Sequence, residues 1–352
     1  MTTEVLRVDR EHPDEGAIER AASCLRRGGL VAFPTETVYG LGVYALDHAA
    51  VLRLFQAKQR PATDPLIVHI ASLDDAGALV TEVPDIARQL AARFWPGALT
   101  MVMRRAPAVP REVTAGLDTV AVRVPSHPVA RALLQAARLP IAAPSANLFS
   151  RPSPTTAAHV LEDLDGRIDM IVDGGATDVG VESTVVDLTG DVPEILRPGA
   201  IGIDALRSIV PTAIARSPLT TTGSGEAMPS PGLLSKHYAP RARLLLYRGR
   251  KDPVATAMRQ AAEDALRQGR RVGALATSQD AVALHGLPVA IADLGGEGDT
   301  PRFAARLYAA LRELDAQHVD VILVRDPAGD DDLARAIRDR LQRAAAEVVE
   351  LS

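Results

Sequence analysis

Cysteine is nearly absent from this 352-residue chain, where Cys24 stands alone. A single thiol excludes a disulfide framework and a cysteine-built metal centre, and Cys24 falls on the apolar side of a candidate helix. Long apolar runs are also missing. The first 25 residues carry both Glu and Asp, so neither a secretion signal nor a membrane span is expected, and the cytoplasm is the default location. No internal repeat relates the two halves. The phosphate loop G-x-x-x-x-G-K-[ST], the zinc motif H-E-x-x-H and the serine elbow G-x-S-x-G are all missing. A dinucleotide loop G-x-G-x-x-G is missing too: Gly249 stands alone after one late strand, and Gly295-Gly296-Glu297-Gly298 follows another. The net charge of −5 argues against nucleic-acid binding by bulk charge, though not against a local basic patch. Without a nucleophile motif, catalysis here depends on placing substrates and stabilising charge, as in phosphoryl transfer.

What is present has ordinary globular composition, 47% hydrophobic and 24% charged, and the length points to about two domains. The abundance of Ala and Arg over Lys is read as coding bias. The chain is organised around residues 28–69. Leu30-Val31-Ala32-Phe33 is a strand that ends at Pro34. Thr35-Glu36-Thr37 then offers two hydroxyls and a carboxylate, and Gly40 and Gly42 are read as a turn. A helix from His48 to Gln56 delivers Lys58 and Arg60, and Pro61 and Pro65 bracket a loop before the strand Leu66–Ile70. Hydroxyls, two cations and His69 gathered between two strands fit an anion or nucleotide pocket. They also fit a polar loop with a solvated basic tip.

The rest of the first part alternates irregularly. Helices are expected over 14–27, 83–94, 128–137 and 159–164, with Ser153-Pro154-Thr155 as the start of the last. Strands are expected over 99–103, 120–124, 141–143, 168–173 and from 182. This irregularity predicts a twisted mixed α/β sheet with flanking helices rather than a βαβ ladder. Residues 212–240 lack periodicity, and Gly, Pro, Ser and Thr supply 15 of these 29 residues, so the stretch reads as a linker or a functional lid. Beyond it, 241–352 reads as a small Rossmann-like α/β unit with a parallel sheet. The boundaries are therefore 1–211, 212–240 and 241–352.

Chemistry gathers in the first part. Lys58 and Arg60 suit phosphate oxygens, as point charge and planar fork respectively. Arg123 and Arg197 each follow an apolar strand. Ser145 and Asn147 lie just beyond the apolar run at 141–143, and Glu182-Ser183-Thr184 repeats the hydroxyl-plus-carboxylate theme. Open α/β folds place ligands at such strand ends.

These words resemble the Sua5/YrdC/YwlC family. The resemblance rests on PTETVYGLG at 34–42, KQRP with DPLIVH at 58–69, FWPGALT at 94–100, VAVRVPSHP at 120–128 and PIAAPSAN at 140–147. GVESTVVDL at 180–188, LRPG at 196–199 and SPGLLSKHYAP at 230–240 agree, the last pointing to the longer two-domain type. It implies a YrdC-like catalytic domain, a lid in the linker and a C-terminal Sua5 domain. The implied activity is a nucleotidyl transfer that makes L-threonylcarbamoyladenylate from L-threonine, bicarbonate and ATP, with Mg²⁺ carried by the ATP. The product would pass to the tRNA threonylcarbamoyltransferase machinery for t6A37 modification. Carried over residue by residue, the resemblance assigns ATP to Lys58, Arg60, Asp64, Thr119, Ser145, Asn147, Ser153, Arg197 and Tyr238. L-threonine falls to Thr35, Thr37, His69, Arg123, Ala143 and Ser183, with Lys58, Arg60 and Arg123 as the catalytic set. No metal ligand is assigned; Glu36, Asp64 and Glu182 all stay open. Three departures stand out: Asp64 where Asn is common, Phe149-Ser150 for Ser-Gly, and Leu234-Ser235-Lys236 for a more basic, aromatic triplet.

Two other classes fit parts of the pattern. YrdC-like domains resemble proteins proposed to bind double-stranded RNA, so a weak RNA contact is one reading. The domain also occurs in hydrogenase-maturation carbamoyltransferases, whose zinc-finger segment one cysteine cannot build.

Overall fold

The first two helices start where short polar side chains take up otherwise unpaired amides. Asp14 accepts from the Ala17 amide to start α1 (Glu15–Arg26), and Asp47 accepts from the Ala50 amide to start α2 (His48–Lys58). The last turn of α2 ends at Gln59 in the left-handed region, which turns the chain sharply after Lys58. The structure is a computed structural model and describes residues 2–215, 228, 230, 232 and 237–351. It divides into two compact units, Met1–Phe149 with Ser153–Ser235, and Ser150–Pro152 with Lys236–Ser352. Most of the 212–240 stretch read as a linker or lid lies outside the described residues. Among the described residues no helix is long and apolar enough to cross a membrane.

The first unit is built on β1 (Glu4–Arg7), β2 (Val31–Pro34), β3 (Tyr39–Tyr44), β4 (Ile67–His69), β5 (Leu99–Arg104) and β6 (Thr119–Arg123). It continues with β7 (Ile141–Ala142), β8 (Met170–Asp173), β9 (Thr184–Asp187), β10 (Glu194–Arg197) and β11 (Ile214–Ala215). These form one mixed sheet in the order β1-β8-β2-β3-β7-β4-β6-β5-β9-β10-β11. Side chains alternate between its faces. Val68, Val120, Val122 and Met101 join the large core beneath α2 and α3 (Asp85–Phe94). On the opposite face, α1 and α4 (Pro128–Ala137) cover Val31, Phe33 and Val172 at one end of the sheet. At the other end Ile67, Val102, Ala121, Val185 and Leu196 form only a thin apolar strip.

Gly40 and Gly42 are not a turn. They lie inside β3, which pairs antiparallel with β2, Val31 opposite Gly42 and Phe33 opposite Gly40. A Cβ on Gly42 would stand 2.7 Å from Ile141 Cγ2 and 2.8 Å from Phe33 Cε1, so this strand needs glycine for close packing. Helix α5 (Ala157–Leu164) starts at Thr156, whose hydroxyl accepts from the His159 amide, rather than at Ser153–Thr155.

In the second unit five strands are all parallel: β12 (Arg243–Arg248), β13 (Val272–Ala276), β14 (Val289–Asp293), β15 (Val321–Arg325) and β16 (Glu347–Glu350), in the order β14-β13-β15-β12-β16. Long helices α6 (Lys251–Arg267), α7 (Thr300–Ala316) and α8 (Asp332–Ala344) supply the apolar residues that pack on this sheet. This is the small α/β unit that the periodicity predicted.

Candidate active site

The loop after β2 sets the first group of side chains. Thr35 Oγ1 donates to the Val38 carbonyl at 2.7 Å and lies 2.8 Å from Thr37 Oγ1, which closes a tight hydroxyl pair. The loop is pinned from outside by the Val179 amide on the Glu36 carbonyl and the Gly180 amide on the Thr37 carbonyl. Arg123, at the end of β6, reaches into it. Its Nη1 donates to Thr37 Oγ1 at 3.0 Å, its Nε to the Gly97 carbonyl at 3.2 Å, and its Nη2 lies 2.9 Å from Glu36 Oε1. All of these side chains are buried. Burial raises the pKa of Glu36, but the Arg123 guanidinium outweighs it and holds the carboxyl below its ordinary value.

His69 is the neighbour of Arg123 across the β4–β6 pairing, and its ring meets Phe33 edge-on at 6.1 Å between centroids. Burial, with the Arg123 charge second, pushes its pKa down to about 3, so the imidazole is neutral near pH 7. Its Nδ1 has no hydrogen-bond partner in the fold. The Ala143 amide is committed to the Ile67 carbonyl at 2.8 Å.

A second group surrounds Lys58. Its ammonium donates to the Ser145 and Asn147 carbonyls, and burial, then the nearby Arg60 charge, drives its pKa well down. The solvated basic tip is thereby excluded: Lys58 is 1% exposed and Arg60 7%. Arg60 Nη2 donates to the Pro65 carbonyl at 2.8 Å and lies 2.9 Å from Asp64 Oδ2. Burial raises the Asp64 pKa while Arg60 pulls against it. The chain returns to this loop from residue 228, whose amide donates to the Thr63 carbonyl at 3.1 Å.

A third group lines β9 and β10. Arg197 Nη2 donates to Ser183 Oγ at 3.1 Å and its Nε to the Ser183 carbonyl, while Ser183 Oγ lies 2.7 Å from Thr100 Oγ1. Ser153 Oγ donates to Glu182 Oε1 at 2.6 Å. Thr119 sits at the far end of β6 on the same face as Arg123, about 13 Å along the strand. Thr119, Arg123 and His69 thus share the face that carries the thin apolar strip. That face offers an apolar floor between polar ends, which suits a flat ring with charged groups beside it.

The sequence reading missed Thr100 and Gly97, and it singled out Glu182 without its partner. Thr100 Oγ1, the Gly97 carbonyl and the carboxylate of Glu182 hold Ser183, Arg123 and Ser153 in place. FWPGALT at 94–100 carried the first two, but nothing local says which side chain a strand-end hydroxyl will meet. Tyr238 is found in the second unit, 1% exposed, stacked on Tyr308 at 5.5 Å with the Arg340 guanidinium 5.7 Å from its ring centre. Among the described residues no group of three His, Cys, Asp or Glu side chains is placed to hold a metal ion. A cleft in the second unit beside Gly296 and Gly298 contains Arg325, but Asp280 at 2.7 Å and Glu297 at 3.0 Å already answer its charge.

Comparison with known proteins agrees along the chain. The Sua5/YciO/YrdC profile, described as "Telomere recombination", matches residues 23–199. A second profile, described as the threonylcarbamoyl-AMP synthase C-terminal domain, matches 201–346. The threonylcarbamoyl-AMP synthase of Pyrococcus abyssi is 44% identical over 338 residues, covering 96% of each chain. That of Bacillus subtilis is 42% identical over 339 residues, covering 96% of this chain and 95% of the relative. The crystal structure of P. abyssi Sua5 complexed with L-threonine superimposes with a TM-score of 0.92 at 40% identity, covering 99% of this chain and 100% of that one.

Proposed function

Since this chain belongs to the Sua5/YciO/YrdC family, we propose that it joins L-threonine, bicarbonate and ATP into L-threonylcarbamoyladenylate with release of pyrophosphate. The observation that carries this reading is the buried convergence of Arg123, Thr37, Glu36 and neutral His69 at one end of a sheet face. Such a cluster suits a small zwitterion better than a macromolecular surface.

The threonine amine attacks the bicarbonate carbon and water leaves, giving N-carboxy-threonine. The new carboxylate then attacks the ATP α-phosphorus and pyrophosphate departs. Arg123 holds the amino-acid carboxylate. Thr35, Thr37, His69, Ser183 and the backbone at Ala143 orient the rest, so catalysis comes from placement in a water-poor site. Lys58, Arg60 and Arg197 receive the charge that develops on the leaving phosphates. A charged Lys58 has three N–H donors, two of which the Ser145 and Asn147 carbonyls take, so one remains for phosphate. Thr119, Ser145, Asn147, Ser153 and Asp64 line the nucleotide. Mg²⁺ is carried by the ATP; of the three carboxylates left open, Glu36 and Asp64 pair with Arg123 and Arg60, and Glu182 accepts from Ser153.

The anhydride product hydrolyses easily, which favours direct handover to the enzyme that modifies tRNA. The test is product identity. ¹³C-bicarbonate should appear in an adenylate of threonylcarbamoyl mass, and AMP alone as the nucleotide product would refute the reading.

A further inference from the structure

The Glu36 carboxylate is buried beside Arg123, whose charge, with the backbone amides of Glu36 and Ser126, holds it ionised. Arg123 Nη2 is 2.9 Å from Oε1, yet neither that nitrogen nor either Glu36 oxygen completes a hydrogen bond in good geometry. The side chain is 7% exposed, so water cannot readily make up the deficit. An ionised carboxylate with no well-aligned hydrogen bond of its own gains from a further cationic donor. Arg123 is placed differently, because its Nη1 and Nε are already seated on Thr37 Oγ1 and the Gly97 carbonyl. It therefore presents a fixed positive edge, with the negative Glu36 directly beside it.

A zwitterionic amino acid is the mirror of this pair: a carboxylate and an ammonium on one carbon. We propose that Glu36 receives the α-ammonium of the amino acid whose carboxylate Arg123 holds, and that this contact selects α-amino acids over their α-hydroxy counterparts. The inference rests on the functional reading above. It assigns to Glu36 a contact with the substrate rather than with a metal ion. The hydroxyl pair of Thr35 and Thr37 is a poorer ammonium acceptor, since Thr35 Oγ1 already donates to the Val38 carbonyl and Thr37 Oγ1 already accepts from Arg123. The burial of the site strengthens the discrimination: a ligand lacking the ammonium leaves the carboxylate with Arg123 as its one ionic partner, and that guanidinium must then also serve the ligand's carboxylate.

The experiment compares binding of L-threonine with that of 2,3-dihydroxybutanoate of matching configuration, by calorimetry on the full chain. Parent, Glu36→Gln and Glu36→Asp are used, with thermal melts to check folding. The parent should prefer L-threonine. Glu36→Gln should lose at least about tenfold of that preference while binding the hydroxy acid as well as the parent does. Glu36→Asp, which keeps the charge, should retain more of the preference than Gln. A non-hydrolysable ATP analogue, titrated without amino acid, should bind the parent and both variants alike. If Glu36→Gln weakens both acids equally, Glu36 serves the fold or Arg123 alone and the proposal is overturned. It is equally overturned if the preference survives intact in Glu36→Gln. A parent that binds neither acid would overturn the functional reading itself, and this inference with it.

Discussion

The Lys58 ammonium donates to the Asn147 carbonyl, with the Ser145 carbonyl as its second acceptor. One side chain at the end of α2 thereby ties down the loop after β7, and it does so while 1% exposed. Lys58→Ala should therefore act twice. It should lower kcat/KM by roughly 10²-fold or more, because a charge-assisted contact to the leaving phosphates is lost. It should also lower the melting temperature, because the buried Asn147 carbonyl and the part-buried Ser145 carbonyl lose their donor. Steady-state kinetics within about twofold of the parent would show that this lysine serves only the fold.

Burial and the Arg60 charge hold the Lys58 pKa well below lysine's ordinary 10.5, with Asp163 and Asp64 pulling the other way. A triphosphate beside the amine raises that pKa again, so ATP binding takes up a proton and affinity falls as pH rises between the free and bound values. Calorimetry at alkaline pH, in buffers of different ionisation heat, should show net uptake in the parent and none in Lys58→Met. Equal uptake in both would assign the proton elsewhere.

His69 is expected to make the first unit acid-sensitive. In the fold it stays neutral down to about pH 3, whereas in the unfolded chain it takes a proton near its ordinary 6.5. A folded pKa below the unfolded one means that stability is lost as pH falls below about 6.5 and the loss continues to about 3. The slope from one proton is at most ~1.4 kcal/mol per pH unit. His127, also lowered by burial and then Arg10, to about 4, adds to it. Trp95, the single tryptophan, lies in this unit and reports its unfolding. Urea titrations at pH 7.5, 6 and 5 should show a shallower dependence for His69→Gln than for the parent. An unchanged slope would contradict the neutral assignment.

Much of this was legible in the sequence, for identifiable reasons. Helices such as α1 and α4 announce themselves because their apolar residues recur at helical spacing and Asp14 or Pro128 marks the start. The parallel sheet of the second unit was legible from apolar runs alternating with helices. Strand β3 was not, because glycine signals a turn locally, and only Ile141, distant in sequence, reveals why Gly42 must lack a side chain. The candidate site shows the same division. Thr35, Thr37, Arg123 and His69 were picked from motif words, and the fold brings them together. The pairings of Ser183 with Thr100 and Ser153 with Glu182 span 83 and 29 positions, and no local pattern encodes them.

Tyr238 separates a structural role from a ligand role. Its ring is buried against Tyr308 and beside Arg340. Tyr238→Ala should therefore destabilise the second unit by about 3–5 kcal/mol, as other buried aromatic truncations do. Tyr238→Phe should recover most of the ring packing. Scanning calorimetry would check this, and a Tyr238→Ala chain that melts like the parent would contradict the packing described.

The central claim is a three-substrate adenylation, and pyrophosphate release tests it most directly. Purified chain is given ATP and Mg²⁺ with each amino acid in turn, in buffer stripped of bicarbonate and again with bicarbonate restored. Release should require L-threonine and bicarbonate together, with either one alone leaving only background. Equal release with bicarbonate stripped out, or without any amino acid, would contradict the account.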